Sequence, residues 1–545
     1  MKRENSRTRS LLNVPVTSLL WPSGISKSNP PTSQWEHDLG LNDLVQALST
    51  DRRYVPFVRQ TLAALNTDPD VIAWRQSVLI DLMNNPQLVE RLQALLPSLA
   101  DLRQGHAQLG SHKRSLLLET ADRLAELDVY ISAVQALAEA LENASLDSDA
   151  LRNLRSNLQA LLNDPGFGSL REEMPALRAP LQHVASLTVG INLDSQLRPL
   201  STVLLAINEH KMTEPSSLLS RLIGLSADPN DESGIAPLHN VPDDPAMRPL
   251  SVLFQDLDQL LTRAAQPVAR ALGRYVKINS GPLVGLENEF AFYVAAVALI
   301  KRLQQQGITF CQPEIAPAEE RITQIDGLVN INLALRRVDN PVPSDAKFDA
   351  DGRIAILTGP NSGGKTTYLQ GVGLAHILFQ AGLLIPARQA RISPVDMILT
   401  HFPALETRQE GRLAEEALRL REVFQRATPQ SLVLLNESLS STAFSEALYL
   451  AQDILAALRS IGLRAIYATH LVELAEHISE IEASISGDSA LFSLVAGIRV
   501  TDDHAVPTFE IARGQPLGRS YAHEIARRYG ISLEQILQAR SNNSN

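Results

Sequence analysis

The sequence predicts a mostly α-helical region followed by an α/β domain, and three observations carry that division. Leu117, Leu124, Leu127, Ile131, Val134 and Leu141 recur at three- and four-residue spacing, the period of one face of a long packed helix. From about Thr309 onward, short apolar runs alternate with helical stretches, the pattern of a sheet covered by helices. Inside that second region Ile354-Ala355-Ile356-Leu357-Thr358 flows into Gly359-Pro360-Asn361-Ser362-Gly363-Gly364-Lys365-Thr366-Thr367, and a helical pattern follows to about Gln380. A strand, a G-x-x-x-x-G-K-[ST] loop and a helix in that order make a phosphate-binding loop. The glycines let backbone N–H groups face phosphate oxygens, Lys365 neutralises the β and γ groups, and Thr366 offers a hydroxyl to Mg²⁺. The expected fold is therefore an α/β P-loop nucleotide-binding domain, with ATP and Mg²⁺ as the implied ligands, behind a helical region.

With 545 residues and 44% hydrophobic content, the chain has material for more than one core. Cys311 is its single cysteine, which rules out an intramolecular disulfide framework and a cysteine metal cluster and suits a reducing compartment. The longest apolar run, Phe290 to Ile300, is far shorter than the roughly 20 residues a spanning helix needs, so a cytoplasmic protein without a membrane partner is expected. A formal net charge of −11 argues against a globally basic nucleic-acid binder and leaves room only for local basic stripes.

Along the chain, residues 1–35 carry Lys2, Arg3, Arg7 and Arg9 and a Ser/Pro/Asn-rich stretch without a period, which reads as a flexible arm. Helical periodicity occupies 36–308. It is interrupted at 185–247, where Leu187-Thr188-Val189-Gly190-Ile191-Asn192-Leu193 is strand-like and Pro, Asp, Ser and Asn accumulate from Ala227 to Pro245. Residues 309–545 form the α/β domain. Its second apolar strand, Ser431 to Leu435, ends in Asn436-Glu437, where a P-loop enzyme places its metal-side residue and a catalytic carboxylate. Glu437 is the expected general base, orienting the attacking water. A third strand, Arg464 to Ala468, leads into Thr469-His470, which sets an imidazole at the same sheet edge within reach of a γ-phosphate.

These segments resemble the MutS family, whose ATPase is related to the ABC class. The loop Gly359-Pro360-Asn361-Ser362-Gly363-Gly364-Lys365-Thr366-Thr367-Tyr368 is similar to that family's G-P-N-x-G-G-K-S-T-Y. Ile385-Pro386-Ala387 with Ile392-Ser393-Pro394-Val395-Asp396 resembles its V-P-A…I-G-P-I-D. Ala427-Thr428 and Ser431 to Glu437 resemble A-T-x-x-S-L-V-L-x-D-E, and Ala468-Thr469-His470 with Glu473-Leu474 resembles A-T-H-x-x-E-L. Gly518-Arg519-Ser520-Tyr521-Ala522 with Ile525-Ala526 looks like the start of the family's C-terminal dimerisation helices. More weakly, Asp43 to Gln76, containing Thr67-Asp68-Pro69, resembles the start of its lever domain. The resemblance implies lever helices over 36–308, a reduced clamp-like insertion at 185–247, and an ATPase domain over 309–545 that pairs as a homodimer on DNA.

Several residues depart from the pattern. Members that read mismatches carry an N-terminal Phe-x-Glu wedge, whereas Phe444-Ser445-Glu446 here falls where a sheet-packing helix is expected, so direct mismatch reading is not expected. Asn436 stands where the family has aspartate, which keeps the shape and removes a charge beside Mg²⁺, so slow hydrolysis is expected. The stretch aligned with the trans-acting S-T-F-x-x-E is Gly411-Arg412-Leu413-Ala414-Glu415-Glu416, in which Glu416 fits and Arg412 either replaces the serine's contact across the dimer or lies on a solvated helix face. Thr442, in the loop after Glu437, is the candidate for a further dimer contact. Pro341-Val342 is either the adenine-packing segment or a plain turn, and Arg152, Arg155, Arg270, Arg274 and Lys277 are either DNA contacts or exposed helix faces. Shortly after Asn542 the chain ends without a nuclease-like pattern, so DNA cleavage is not expected. The expected function is an ATP-gated homodimeric clamp on duplex or branched DNA in repair or recombination. Its alternatives are a nucleotide-gated scaffold with little hydrolysis and an ABC-like ATPase gripping a protein.

Overall fold

The computed structural model describes residues 18–24, 34–49, 51–108, 116–182, 186–193, 195, 199–208, 210, 266–275, 278–403, 412–439, 442–501, 504–515, 531–533 and 535–537. They fall into two compact units, one containing Leu95–Glu142 and Arg155–Gly285, the other Thr17–Ala94, Asn143–Leu154 and Leu286–Asn545.

In the first unit the helix Leu116–Glu142 buries the stripe Leu124, Leu127, Ile131, Val134 and Leu141. Its packing against the helix Pro165–Gln182 includes an edge-on contact of Tyr130 with Phe167, ring centroids 6.2 Å apart. Glu126 is nearly solvent-free. Its carboxylate accepts from Ser280 and Arg123, and Arg123 also donates to the Ile278 carbonyl at 2.7 Å, so the buried charge is paired and bonded. Strand β1 (Ser186–Leu193) pairs antiparallel with β2 (Pro199–Asn208), from Ser186 opposite Asn208 to Leu193 opposite Pro199, with two register shifts. This hairpin opens the segment expected as an insertion, and residues 211–265 lie outside the described residues.

The second unit holds the sheets. A four-stranded sheet is built from β3 (Glu314–Ile315), β4 (Thr323–Leu328), β5 (Ser344–Phe348) and, later in the chain, β7 (Gln389–Ile392), in the order β3-β7-β4-β5. The larger sheet has β6 (Ile354–Thr358) near its middle. With β7 (Gln389–Ile392) in the smaller sheet, the rest of the larger one is β8 (Ile398–His401), β9 (Leu432–Asn436), β10 (Arg464–Ala468), β11 (Leu491–Thr501) and β12 (His504–Arg513). Its order is β12-β11-β6-β10-β9-β8, parallel except for β12. Every residue of β6, β9 and β10 is buried, the consequence of helices on both faces and the reason these strands read as continuous apolar runs. On one side Leu455 and Leu458 of the helix Phe444–Ile461 join Leu435 and Tyr467 in the core. Strand β10 lies between β6 and β9, so the residue following each of the three strands emerges at one sheet edge.

The expected arm, 1–35, does not extend through Ser18–Trp21. Leu19 and Leu20 are fully buried, the Leu19 N–H donates to Glu289 at 2.6 Å, and Ser18 Oγ donates to the same carboxylate at 2.7 Å. Beneath this strap sits Arg75, 1% exposed, on the helix Pro69–Asn84. Its Nε donates to the Leu20 carbonyl at 3.0 Å, its Nη1 to the Gln380 carbonyl at 3.2 Å, and Trp21 stacks 4.6 Å away. Burial pulls the guanidinium down to about 10. Gly382 abuts it at φ +78°, where a Cβ would lie 2.1 Å from Arg75 Cβ, so only glycine fits. The helix Gly281–Gln305 is long and apolar enough to cross a membrane, but 78% of its most apolar stretch is buried in the protein, the pattern of a core helix.

Candidate functional site

The phosphate loop lies between β6 and the helix Lys365–Gln380. Gly359 has φ +141° and a Cβ there would meet the Ala496 Cβ at 2.6 Å, so the turn out of β6 requires glycine. Gly364, at φ +91°, is the residue before the helix, and the helix N-terminus offers unsatisfied N–H groups to an anion. Asn330 Nδ2 donates to the Thr367 carbonyl at 2.8 Å, bracing the first turn.

Lys365 is 4% exposed, and its Nζ donates to the carbonyls of Gly359 and Pro360 at 3.0 and 3.1 Å. Burial lowers its pKa and the Glu437 carboxylate, 4.0 Å away, opposes that shift. An ammonium whose partners among the described residues are two carbonyl oxygens and a distant carboxylate is a strong site for phosphate oxygens. Thr366 Oγ1 donates to Asn436 Oδ1 at 3.2 Å, so the hydroxyl and the amide oxygen stand side by side at the end of β9. Both are oxygen donors suited to a hard cation, and the pair fits Mg²⁺ with one negative charge fewer than an aspartate would bring. Among the described residues no group of three or more His, Cys, Asp and Glu side chains forms a separate metal site.

Glu437 leaves β9 with φ +50°, and its N–H donates to the Ala468 carbonyl at 2.8 Å. His470, two residues beyond β10, places Nε2 2.8 Å from Glu437 Oε1. The structure thus brings Lys365, Thr366, Asn436, Glu437 and His470 together at the end of the central strands.

The loop opens into a cavity of about 480 Å³, lined by Ser362 to Tyr368, Glu437, Val338, Pro341, Val342 and Phe509, and the Phe509 ring lies against Gly364 of the loop itself, 3.7 Å from where a Cβ would stand. Pro341-Val342 therefore shares a cavity with the phosphate loop. Phe509, half-exposed on β12, and Val338 carry no motif and were not expected. The one signal was an aromatic residue standing between the polar residues Thr508 and Glu510. These apolar faces suit a planar base.

The residues expected to act across a dimer divide. Residues 404–411, including Gly411, and the side chain of Arg412 lie outside the described residues, although the helix Arg412–Arg426 is described. Glu416 is 8% exposed and its Oε2 accepts from the Leu439 N–H of the same chain at 3.0 Å, so the carboxylate is engaged within its own subunit. Thr442 Oγ1 donates to Glu446 at 2.7 Å. Phe444-Ser445-Glu446 opens the helix Phe444–Ile461, as the sequence led us to expect. Of the candidate DNA-binding arginines, Arg152 pairs with Asp149 at 2.7 Å and Arg274 with Glu173 at 2.8 Å, while Lys277 lies outside the described residues.

Residues 67–306 match the family described as MutS2 N-terminal domain, and residues 355–545 match MutS domain V. A DNA mismatch repair protein MutS from Chlorobium phaeobacteroides is 30% identical over 292 residues, 53% of this chain and 30% of that protein. An Endonuclease MutS2 from Thermus thermophilus is 34% identical over 212 residues, 38% of this chain and 27% of that protein. A DNA mismatch repair protein MutS from Prochlorococcus marinus is 26% identical over 508 residues, 89% of this chain and 53% of that protein. The chain spans about half the length of the last of these relatives and less than a third of the other two.

Proposed function

Because the chain belongs to the MutS family, we propose that it is an ATPase acting on DNA in repair or recombination, as a homodimer that closes on ATP and reopens on hydrolysis. The observation that carries the catalytic part is the meeting of three groups from three elements. Lys365 of the phosphate loop lies 4.0 Å from Glu437 after β9, and Glu437 lies 2.8 Å from His470 after β10.

In this reading Lys365 exchanges its two carbonyl partners for β- and γ-phosphate oxygens, and the helix N-terminus adds its N–H groups. Thr366 and Asn436 would hold Mg²⁺, which when bound neutralises charge on the phosphates. Glu437 orients the water for in-line attack and accepts its proton, while His470 fixes the carboxylate and reaches the γ-phosphate. The base packs against Val338, Pro341, Val342 and Phe509. Turnover is slow because Asn436 brings no charge to the metal. Closing of the dimer is the step that ATP favours, and the helical region converts it into a grip on duplex or branched DNA. Arg412 is kept as the group acting across that dimer. Direct mismatch reading is not part of the reading, since Phe444 and Glu446 belong to a helix start within the ATPase domain.

Asn436 supports a second reading, a nucleotide-gated scaffold that binds ATP and hydrolyses little. Mg²⁺-dependent ATP turnover of wild-type and Glu437→Gln protein, with duplex, mismatched and four-way-junction DNA added in turn, separates the two. Turnover that is lost in the variant and changed by one DNA form supports the ATPase. Tight ATP binding without turnover supports the scaffold. An ATPase indifferent to every DNA at low salt overturns the DNA-acting part and points to a protein partner.

A further inference from the structure

We infer that His401 is a positioning residue which, through Ser438, sets the backbone turn that aims Glu437 at the phosphate loop. The inference rests on the reading of Glu437 as the hydrolytic carboxylate. Glu437 and Leu439 both have positive φ, +50° and +66°, with Ser438 between them. Two left-handed non-glycine residues this close persist only where the surroundings over-determine them.

Three buried side chains do so. Ser438 Oγ meets His401 Nδ1 at 2.7 Å, the Ser438 carbonyl accepts from Tyr467 Oη at 3.1 Å, and the Leu439 N–H donates to Glu416 Oε2 at 3.0 Å. Tyr467 and Glu416 hold main-chain groups, which any residue at 438 and 439 except proline presents. His401 instead holds a side chain, so its contact is specific to serine at 438. It is delivered from the last position of β8, opposite Leu435 of β9, immediately before the turn begins.

The histidine is 1% exposed, and among the described residues its Nε2 has no partner. A buried imidazole with one nitrogen unsatisfied is a poorer core residue than leucine or phenylalanine. The bond to Ser438 is what the imidazole supplies and a hydrocarbon would not. Without it the turn keeps its two main-chain anchors and loses its side-chain one, leaving Glu437 free to swing from its 2.8 Å contact with His470.

The test uses the full chain with Ser438→Ala, His401→Leu, His401→Asn and the Ser438→Ala/His401→Leu double variant. Each is assayed for Mg²⁺-ATP turnover, for binding of a fluorescent ATP analogue and for melting temperature. Ser438→Ala, which alters no packing volume beyond one hydroxyl, is expected to lower kcat at least tenfold with KM for ATP and analogue affinity within twofold. His401→Leu should match it, the double variant should be no slower than either, and His401→Asn, whose amide stands at the position of the imidazole Nδ1, should recover half of the rate or more. A Ser438→Ala kcat within twofold of wild type overturns the inference, as do losses in kcat that track the melting temperature or fall equally on KM. If wild-type protein shows no Glu437-dependent turnover, the hydrolytic reading fails, and the crystal structure of Ser438→Ala decides the positioning role. Departure of Glu437 from φ near +50° and from His470 supports it, and unchanged geometry overturns it.

Discussion

Thr366 Oγ1 donates to Asn436 Oδ1 across 3.2 Å, so the first turn of the phosphate-loop helix is bonded to the last residue of β9 before any metal arrives. An amide can accept this bond as well as a carboxylate can. What it lacks is charge. Asn436→Asp is expected to tighten Mg²⁺ dependence and raise kcat, by about tenfold for roughly 1.4 kcal/mol of added metal interaction. Turnover measured against Mg²⁺ concentration checks this, and an unchanged or lower rate would show that hydrolysis is limited elsewhere.

His470→Ala removes the group 2.8 Å from Glu437 Oε1. A loss of roughly 10²-fold in kcat is expected, the lower range for a positioned acid–base partner, with nucleotide affinity preserved because Lys365 and the loop N–H groups are intact. Pre-steady-state binding of a fluorescent nucleotide beside steady-state turnover separates the two quantities.

Phe509 contributes an exposed ring to the cavity beside Gly364 of the phosphate loop. Phe509→Ala is expected to weaken ATP binding by about 1 kcal/mol, roughly fivefold, while inorganic triphosphate affinity stays the same. Calorimetry with both ligands distinguishes loss of a base contact from a damaged loop, which would weaken both.

Acid should destabilise the second unit before its carboxylates titrate. Burial, assisted by Arg419, pushes His401 down to about 4, and burial with Arg464 nearby holds His376 well below its usual value. Each therefore takes up a proton more readily when unfolded, so stability is complete above about pH 6.5 and falls as pH drops toward 4. The part due to His401 alone is on the order of 3 kcal/mol across that window. Urea unfolding at pH 7, 6, 5 and 4 should show the decline, and His401→Gln should remove the His401 part of it while the part due to His376 remains.

The parts of the site that obey local rules were legible in the sequence. Strands β6, β9 and β10 are buried on both faces and so appear as unbroken apolar runs, and the loop glycines and Lys365 have a fixed spacing dictated by phosphate geometry. What was illegible depends on neighbours far apart in the chain. Phe509 reaches the cavity only because β12 folds back on β11, and no periodicity announces an exposed aromatic between Thr508 and Glu510. Glu416 reads as part of a segment acting across a dimer, and its bond to the Leu439 N–H of its own chain follows from where that helix packs. Ser18–Trp21 is too short to carry a period, and its order comes from Glu289 and Arg75, residues 50 or more positions away.

Arg75 gives the helix that starts at Lys365 a second fixed end. Its guanidinium holds the Gln380 carbonyl, and its Cβ fills the space where Gly382 has no side chain, so the chain cannot relax past it. A close-packed rod clamped at its far end transmits displacement instead of absorbing it. The far end of the helix that carries Lys365 is thereby joined to the helix Pro69–Asn84 within one close-packed core.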